Sequence, residues 1–360
     1  MRPAGLSLRR AIAWTLALDL FLGPFLARRL SPSDEMDPFV LLSRGPYGVA
    51  IAIAGIVAVL LFARPRGNPL FALFALAATG VLHEGAGRGA GIFFEPAHVG
   101  GTVTVGWLVG HAFARWVRAD PARFELRGAS AGIAAVYVSA GLSKLLASGF
   151  AWGFDPVVVR AMVAAHDPVG AGAWLAPVSR AVVASPALGV AMAFGALAVE
   201  LGSFTLVLSD RTRRIASALL LTFHLALYLL TGILFVEGAL LLLVIGGWLE
   251  PLAVRIRARR AWAGAGIAIV IAAVGWGASR AMVGQLPGPA MLGLIGAQLA
   301  SEGLGAPLDE DERDAALDVR RVGLALALVL GIATAIWVIH PTPRGHRLDD
   351  AVSRQKATFG

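Results

Sequence analysis

Long apolar runs recur along this chain, each of roughly 17–25 residues, the length a helix needs to cross about 30 Å of hydrocarbon. Charged residues, 15% of the 360, are bunched between these runs rather than spread through them. Hydrophobic residues make up 57% of the sequence, more than soluble domains carry, and the mean hydropathy is +0.74. A soluble core of this kind would need amphipathic helices around it, and the pattern supplies none. The sequence therefore predicts an all-α fold, a polytopic transmembrane helix bundle with membrane lipids around it.

The spacing predicts ten spans, over residues 11–26, 47–63, 69–82, 98–116, 128–148, 186–208, 215–235, 238–249, 261–279 and 322–339. The loops then sort by charge. Arg9 and Arg10, Arg64 and Arg66, Arg115 to Arg127, Arg211 to Arg214 and Arg255 to Arg260 fall on one side. Asp34, Glu35, Asp37, Glu84, Glu95, Asp155, Asp167, Glu237 and the acidic run 309–314 fall on the other. The positive-inside rule then puts both termini in the cytoplasm, in a bacterial cytoplasmic membrane. Asp19 interrupts the first span and no small-x-small site follows it, so a cleaved signal peptide is not expected. Residues 150–185 hold Trp152 and Trp174 but are too broken by Pro and Gly for a span. They predict a surface or re-entrant outer segment, with Asp155-Pro156 starting a short helix.

Several functions are excluded at this stage. The chain has no cysteine, hence no disulfide, thiolate nucleophile or cysteine metal site. The net charge of +8 sits in helix-end arginines, where topology accounts for it without a nucleic acid partner. The glycines from Gly85 to Gly91 resemble a dinucleotide loop but follow a membrane helix, not a strand. His98 and His111 share one span but lack the second histidine pair that a haem between helices needs. No metal site is expected.

Ionisable side chains in hydrocarbon cost several kcal/mol, so each marks a candidate site. They are Asp19, Lys144, Glu200 and His224, with His98 at an outer rim. Lys144 is one of only two lysines, with Lys356, among 31 basic residues. A lysine kept in so arginine-biased a chain suggests chemistry that arginine cannot do, because a desolvated lysine can become neutral and act as a base. The bland alternative is a lysine snorkelling to the headgroups. Tyr137, Gly141, Lys144 and Ser148 recur at helical spacing and form one stripe. Glu200 and His224 are each twelve residues from Thr212 in the short connection 209–214. An antiparallel hairpin about that point sets them at equal depth, within hydrogen-bond reach directly or through one water, as a pair that either takes part in chemistry or clamps two helices. Tyr228, Thr231 and Phe235 continue the His224 face. The expected site thus comprises Lys144 and His98 opening onto one outer-facing pocket, the pair Glu200 and His224, and a lining of Tyr137, Ser148, Trp152, Tyr228 and Thr231.

Two stretches resemble a known family. Tyr137-Val-Ser-Ala-Gly-Leu-Ser-Lys144, followed by Trp152-Gly153, resembles the Gly-Leu-Lys-Lys…Trp…Gly region of vitamin K-dependent γ-carboxylases and their bacterial relatives, the HTTM (horizontally transferred transmembrane) domain proteins. Glu200-Leu201, the arginines 211, 213 and 214, Phe223-His224-Leu225 and Phe235 resemble the family's second block. The resemblance covers residues 10–250, a transmembrane core, and leaves 251–360 as a C-terminal extension with two further spans and the acidic outer loop. It implies that Lys144 is a base toward a reduced naphthoquinone of the vitamin K type and that His98 assists. In the family, oxygenation then yields a strong base that removes a glutamate γ-proton, and carbon dioxide adds. This chain departs from the pattern at Ser143, where the family has a first lysine, and at Pro96-Ala97, where it has asparagines. It also has no counterpart of the large extramembrane domain that binds protein substrate. The expectation is therefore carboxylase- or epoxidase-like chemistry on a quinol or other lipid, with no protein partner indicated. The alternative is a non-catalytic module similar to DoxX-type bundles, binding lipid or quinone or scaffolding a partner. A transporter ranks third, since no inverted repeat of broken helices is visible.

Overall fold

The computed structural model describes residues 3–29, 38–43, 45–64, 67–90, 98–166, 176–231 and 235–249. Among these residues there are helices and turns and no strand. The spans expected at 261–279 and 322–339, and the acidic run, lie outside the described residues. Among the described residues, four helices are long and apolar enough to cross a membrane: Gly45–Phe62, Pro121–Leu146, Pro186–Val207 and Asp210–Leu230. Pro69–His83 and Val236–Ile245 are shorter apolar helices. The chain divides into two compact units, one holding Met1–Ile133 and the other Ala134–Leu242.

The first unit contains α1 (Pro3–Arg29), α2 (Pro38–Ser43), α3 (Gly45–Phe62), α4 (Pro69–Ala90), α5 (His98–Trp116) and the start of α6 (Pro121–Ser148). α1 packs on α3, α4 and α5. Leu8, Ile12, Leu16 and Leu20 are fully buried at four-residue spacing. Arg9, Thr15 and Asp19 are buried beside them, and of residues 8–20 only Trp14 is exposed.

α3 is built the other way round from a soluble helix. Its buried face is small through Gly48, Ala52, Gly55 and Ala58, and ends on the larger Val59 and Phe62. Its large apolar residues Ile53, Val57 and Leu60 are exposed. That distribution suits a lipid solvent, where small residues let backbones approach and large ones meet the tails. A Cβ at Gly55 would stand 2.6 Å from Leu20 Cδ2, so the glycine admits the Leu20 side chain. The α5–α6 crossing uses the same device. A Cβ on Gly106 would lie 2.2 Å from the Gly128 carbonyl oxygen, and one on Gly132 would lie 2.5 Å from that of Thr102. Gly106-x-x-x-Gly110 and Gly128-x-x-x-Gly132 thus bring two backbones into contact.

In the second unit α6 ends at Ser148, where Gly149 takes φ +59 and turns the chain. Three short helices follow, α7 (Ala151–Phe154), α8 (Pro156–His166) and α9 (Ala176–Ala184). The Asp155 side chain accepts a hydrogen bond from Val157 N at 2.8 Å, and Pro156 stands at the first helical position, so the dipeptide starts α8 as expected. α10 (Pro186–Gly202), a 3-10 turn (Ser203–Val207), α11 (Asp210–Thr231) and the start of α12 (Val236–Ile245) complete the described part of this unit. Val159, Val163, Val182, Ala193 and Leu230 form one apolar cluster, with Trp152 and Met192 against it. α8 and α9 are thereby fixed on α10 and α11. Arg160 Nε donates to the Val183 carbonyl at 2.5 Å and ties α8 to α9.

Candidate functional site

Tyr137, Gly141 and Lys144 lie on one face of α6, four and three residues apart. Gly141 sets the approach of α10: a Cβ there would be 2.9 Å from Leu201 Cδ2 and 3.3 Å from Glu200 Cβ. With that side chain missing, Lys144 reaches Glu200. Its Nζ donates to Oε1 at 2.5 Å and to Oε2 at 2.6 Å. The Lys144 side chain keeps 25% of its exposure and that of Glu200 only 7%. Nζ also stands 5.2 Å from the centroid of the Trp152 ring, a cation–π contact from α7. The Ser203 hydroxyl lies 2.7 Å from the Glu200 carbonyl and 3.2 Å from that of Ala134, so the 3-10 turn is tied to α6.

Two helical turns away on α6, the Tyr137 hydroxyl is hydrogen-bonded to His224 Nε2. The imidazole is buried between Tyr137 and Phe235, with ring centroids 5.5 and 5.2 Å away. Its Nδ1 makes no hydrogen bond.

The expected pairing of Glu200 with His224 does not occur directly, since Lys144 holds one and Tyr137 the other. The reason lies in the turn. α11 starts at Asp210, so the chain reverses at Leu208 and Ser209 rather than about Thr212. Ser209 Oγ accepts from Thr212 N at 3.2 Å and Thr212 Oγ1 accepts from Ser209 N at 3.0 Å, a reciprocal cap that begins the helix early. Moving the reversal by three to four residues offsets the two side chains by about 10 Å along the hairpin, at 1.5 Å per residue.

The remaining site residues are spread. Trp152 and Tyr228 are half-buried, and Trp152 touches Lys144. Ser148 is exposed and is the last residue of α6. His98 opens α5, but its side chain, like that of Thr231, lies outside the described residues. Asp19, in the first unit, faces His83, with Oδ1 3.8 Å from Nε2. His83 is missed by the sequence reading, although Thr79 and His83, one turn apart on α4, form a short polar stripe that marks it. No cluster of three or more His, Asp or Glu suited to a metal ion occurs among the described residues.

The Lys144–Glu200 pair has a chemical capacity that neither residue has alone. A proton can pass from Nζ to a carboxylate oxygen with no change in net charge, leaving a neutral amine. A ligand hydroxyl that displaces one carboxylate oxygen would then meet a base already charge-balanced. Comparison of the chain with protein-family models, with curated proteins and with solved structures gives no match.

Proposed function

We propose that this chain is a ten-span integral membrane protein of the HTTM type, lying in a bacterial cytoplasmic membrane with both termini in the cytoplasm. Its second unit binds a quinol or another hydroxyl-bearing lipid and takes a proton from it. Lys144 is the base, and Glu200 is the acceptor that frees its lone pair. The observation that carries this reading is the two-point contact of Nζ with the Glu200 carboxylate, beside an aromatic ring and still a quarter exposed. A structural clamp would not need that access.

A reduced naphthoquinone suits the donors present: the amine and carboxylate match a phenolic hydroxyl, and Trp152 offers a flat apolar face. Reaction of such a quinol with oxygen would supply the strong base that the γ-carboxylase resemblance implies. The chain's own part is to orient the ring, accept the hydroxyl proton and keep the ammonium paired.

The experiment has two arms. Mass spectrometry identifies the lipid that co-purifies with the full chain. Oxygen-dependent epoxide formation from a reduced naphthoquinone is then measured in nanodiscs for the wild type, Lys144→Arg and Lys144→Ala. Arginine keeps the charge but has no accessible neutral state, so both variants lose turnover while Lys144→Arg still binds lipid. Turnover by Lys144→Arg equal to that of the wild type would rule out the base. The second reading, a DoxX-like module that binds lipid without chemistry, is favoured by the engagement of both Glu200 oxygens. It predicts a bound lipid and no turnover in any variant.

A further inference from the structure

We propose that the first unit conducts protons along α1, from a Glu125–His111 dyad at its Arg-rich end to the Asp19–His83 pair. This function is independent of the quinol reading, because all its residues lie in Met1–Ile133.

The starting point is the burial of α1. Arg9 is 4% exposed and Asp19 2%, so both charged side chains face protein rather than lipid. Ionisable groups so placed within a membrane bundle characteristically serve ion or proton pathways. At the Arg-rich end, Arg9 Nη1 donates to the Gly67 carbonyl at 3.1 Å, and Nη2 stands 3.7 Å from Glu125 Oε1. His111 Nδ1 is 2.7 Å from the same oxygen. Trp107 stacks on the imidazole, with centroids 5.4 Å apart, and lies 4.9 Å beneath the guanidinium. Arg9 balances the carboxylate and the carboxylate orients the imidazole, the arrangement that leaves Nε2 free to exchange a proton.

A structural clamp would use up its polar atoms, and this cluster does not. Glu125 Oε2, His111 Nε2, Trp107 Nε1 and Arg9 Nε are buried and make no hydrogen bond. Such a concentration of donors and acceptors suits water and a mobile proton. Ten residues further along α1, about 15 Å at 1.5 Å per residue, comes Asp19. His83 Nε2 stands 3.8 Å from Asp19 Oδ1, beyond direct hydrogen-bond length, so a proton passes between the two side chains as they close or through one bridging water. Between Arg9 and Asp19 in sequence comes Thr15, a buried hydroxyl that donates to the Ile12 carbonyl at 2.9 Å and keeps its lone pairs for an incoming proton donor. α2 and α3, which pack on α4, bring no charged side chain, and their one ionisable residue, Tyr47, is exposed. In the conducting cycle a proton from water binds His111 Nε2, passes to the Asp19–His83 pair and leaves to water on the opposite face, driven by an imposed gradient.

The test uses the full chain in liposomes with a pH-sensitive dye inside and the membrane voltage clamped by potassium and valinomycin. An external pH step should acidify the lumen at a rate that rises with protein content. Asp19→Asn and His83→Gln should each slow it about tenfold, with Asp19→Glu retaining most of the rate and the exposed Thr222→Ala unchanged. Should Asp19→Asn elute as aggregate in detergent, Glu125→Gln takes its place, with the same slowing expected. Wild-type liposomes no faster than empty ones would overturn the proposal, as would wild-type rates in a folded His83→Gln or Glu125→Gln variant. The assay contains no quinol, so its failure leaves the lysine chemistry of the second unit untouched.

Discussion

Lys144 and Glu200, 56 positions apart, meet through both oxygens of one carboxylate, at 2.5 and 2.6 Å. Each residue is the other's means of being buried. Glu200→Ala strands an ammonium and Lys144→Met strands a carboxylate. Because Lys144 can still reach water, Glu200→Ala should cost about 1–3 kcal/mol, while Lys144→Met, which leaves the more buried carboxylate behind, should cost about 3–5 kcal/mol. The double variant Lys144→Met/Glu200→Leu removes both charges and should be more stable than either single one. Thermal unfolding in detergent gives the order. Singles as stable as the double would mean that the pair contributes nothing.

Tyr137→Phe deletes the one hydrogen bond that the buried His224 imidazole makes among the described residues. The cost should be about 1–3 kcal/mol, since His224 then has no partner on either nitrogen. Tyr228→Phe, on a half-buried residue of the same helix as His224, should stay within about 0.5 kcal/mol. Equal effects at the two tyrosines would contradict the contact.

The glycine crossing of α5 and α6 predicts a contrast between two substitutions of the same chemistry. Gly128→Ala places a Cβ 2.1 Å from the Gly106 carbonyl oxygen and must push the helices apart. It should cost about 1–3 kcal/mol. Gly195→Ala, with nothing within 4 Å of the added carbon among the described residues, should be neutral or stabilise by up to about 1 kcal/mol. Unfolding midpoints in one detergent decide it.

Ser209→Ala breaks the reciprocal cap at the start of α11 and should cost about 1 kcal/mol. The loss should be local, visible as faster amide hydrogen exchange at residues 210–213 and not in α6. Unchanged exchange there would place the helix start elsewhere.

Orientation has its own test. The chain lacks cysteine and Ser148 is exposed at the end of α6. Ser148→Cys should react with an impermeant thiol reagent added from outside the cell. Reaction only after the cytoplasmic face is opened would reverse the proposed topology.

Parts of this arrangement are legible in the sequence. Lys144 stands out because a nearly lysine-free chain retains it, and Asp155-Pro156 announces a helix start by its own chemistry. The partner of Glu200 is not legible, because depth across a hairpin depends on where the chain turns. A 3-10 segment and a side-chain cap moved that point by only a few residues and changed the partner. The Arg9–Glu125 contact is hidden for another reason. Charges flanking apolar runs carry a strong topological signal, and a buried pair formed from two such flanks reads the same as two solvated ends. His83 escapes notice because its span is short and its partner lies on a helix far off in sequence.

The enclosure of α1 has a consequence for biogenesis. α1 is synthesised before α3 to α6, yet it carries an arginine and an aspartate that lipid would solvate poorly. Glu125, the partner of Arg9, emerges from the ribosome more than a hundred residues later. In the proposed ten-span arrangement, the nascent helix would in the interval be sheltered in the insertion machinery or beside an insertase, and released when its neighbours can close around it. A chain halted before α6 should therefore remain crosslinkable to that machinery through α1, while one extended past Glu125 should not.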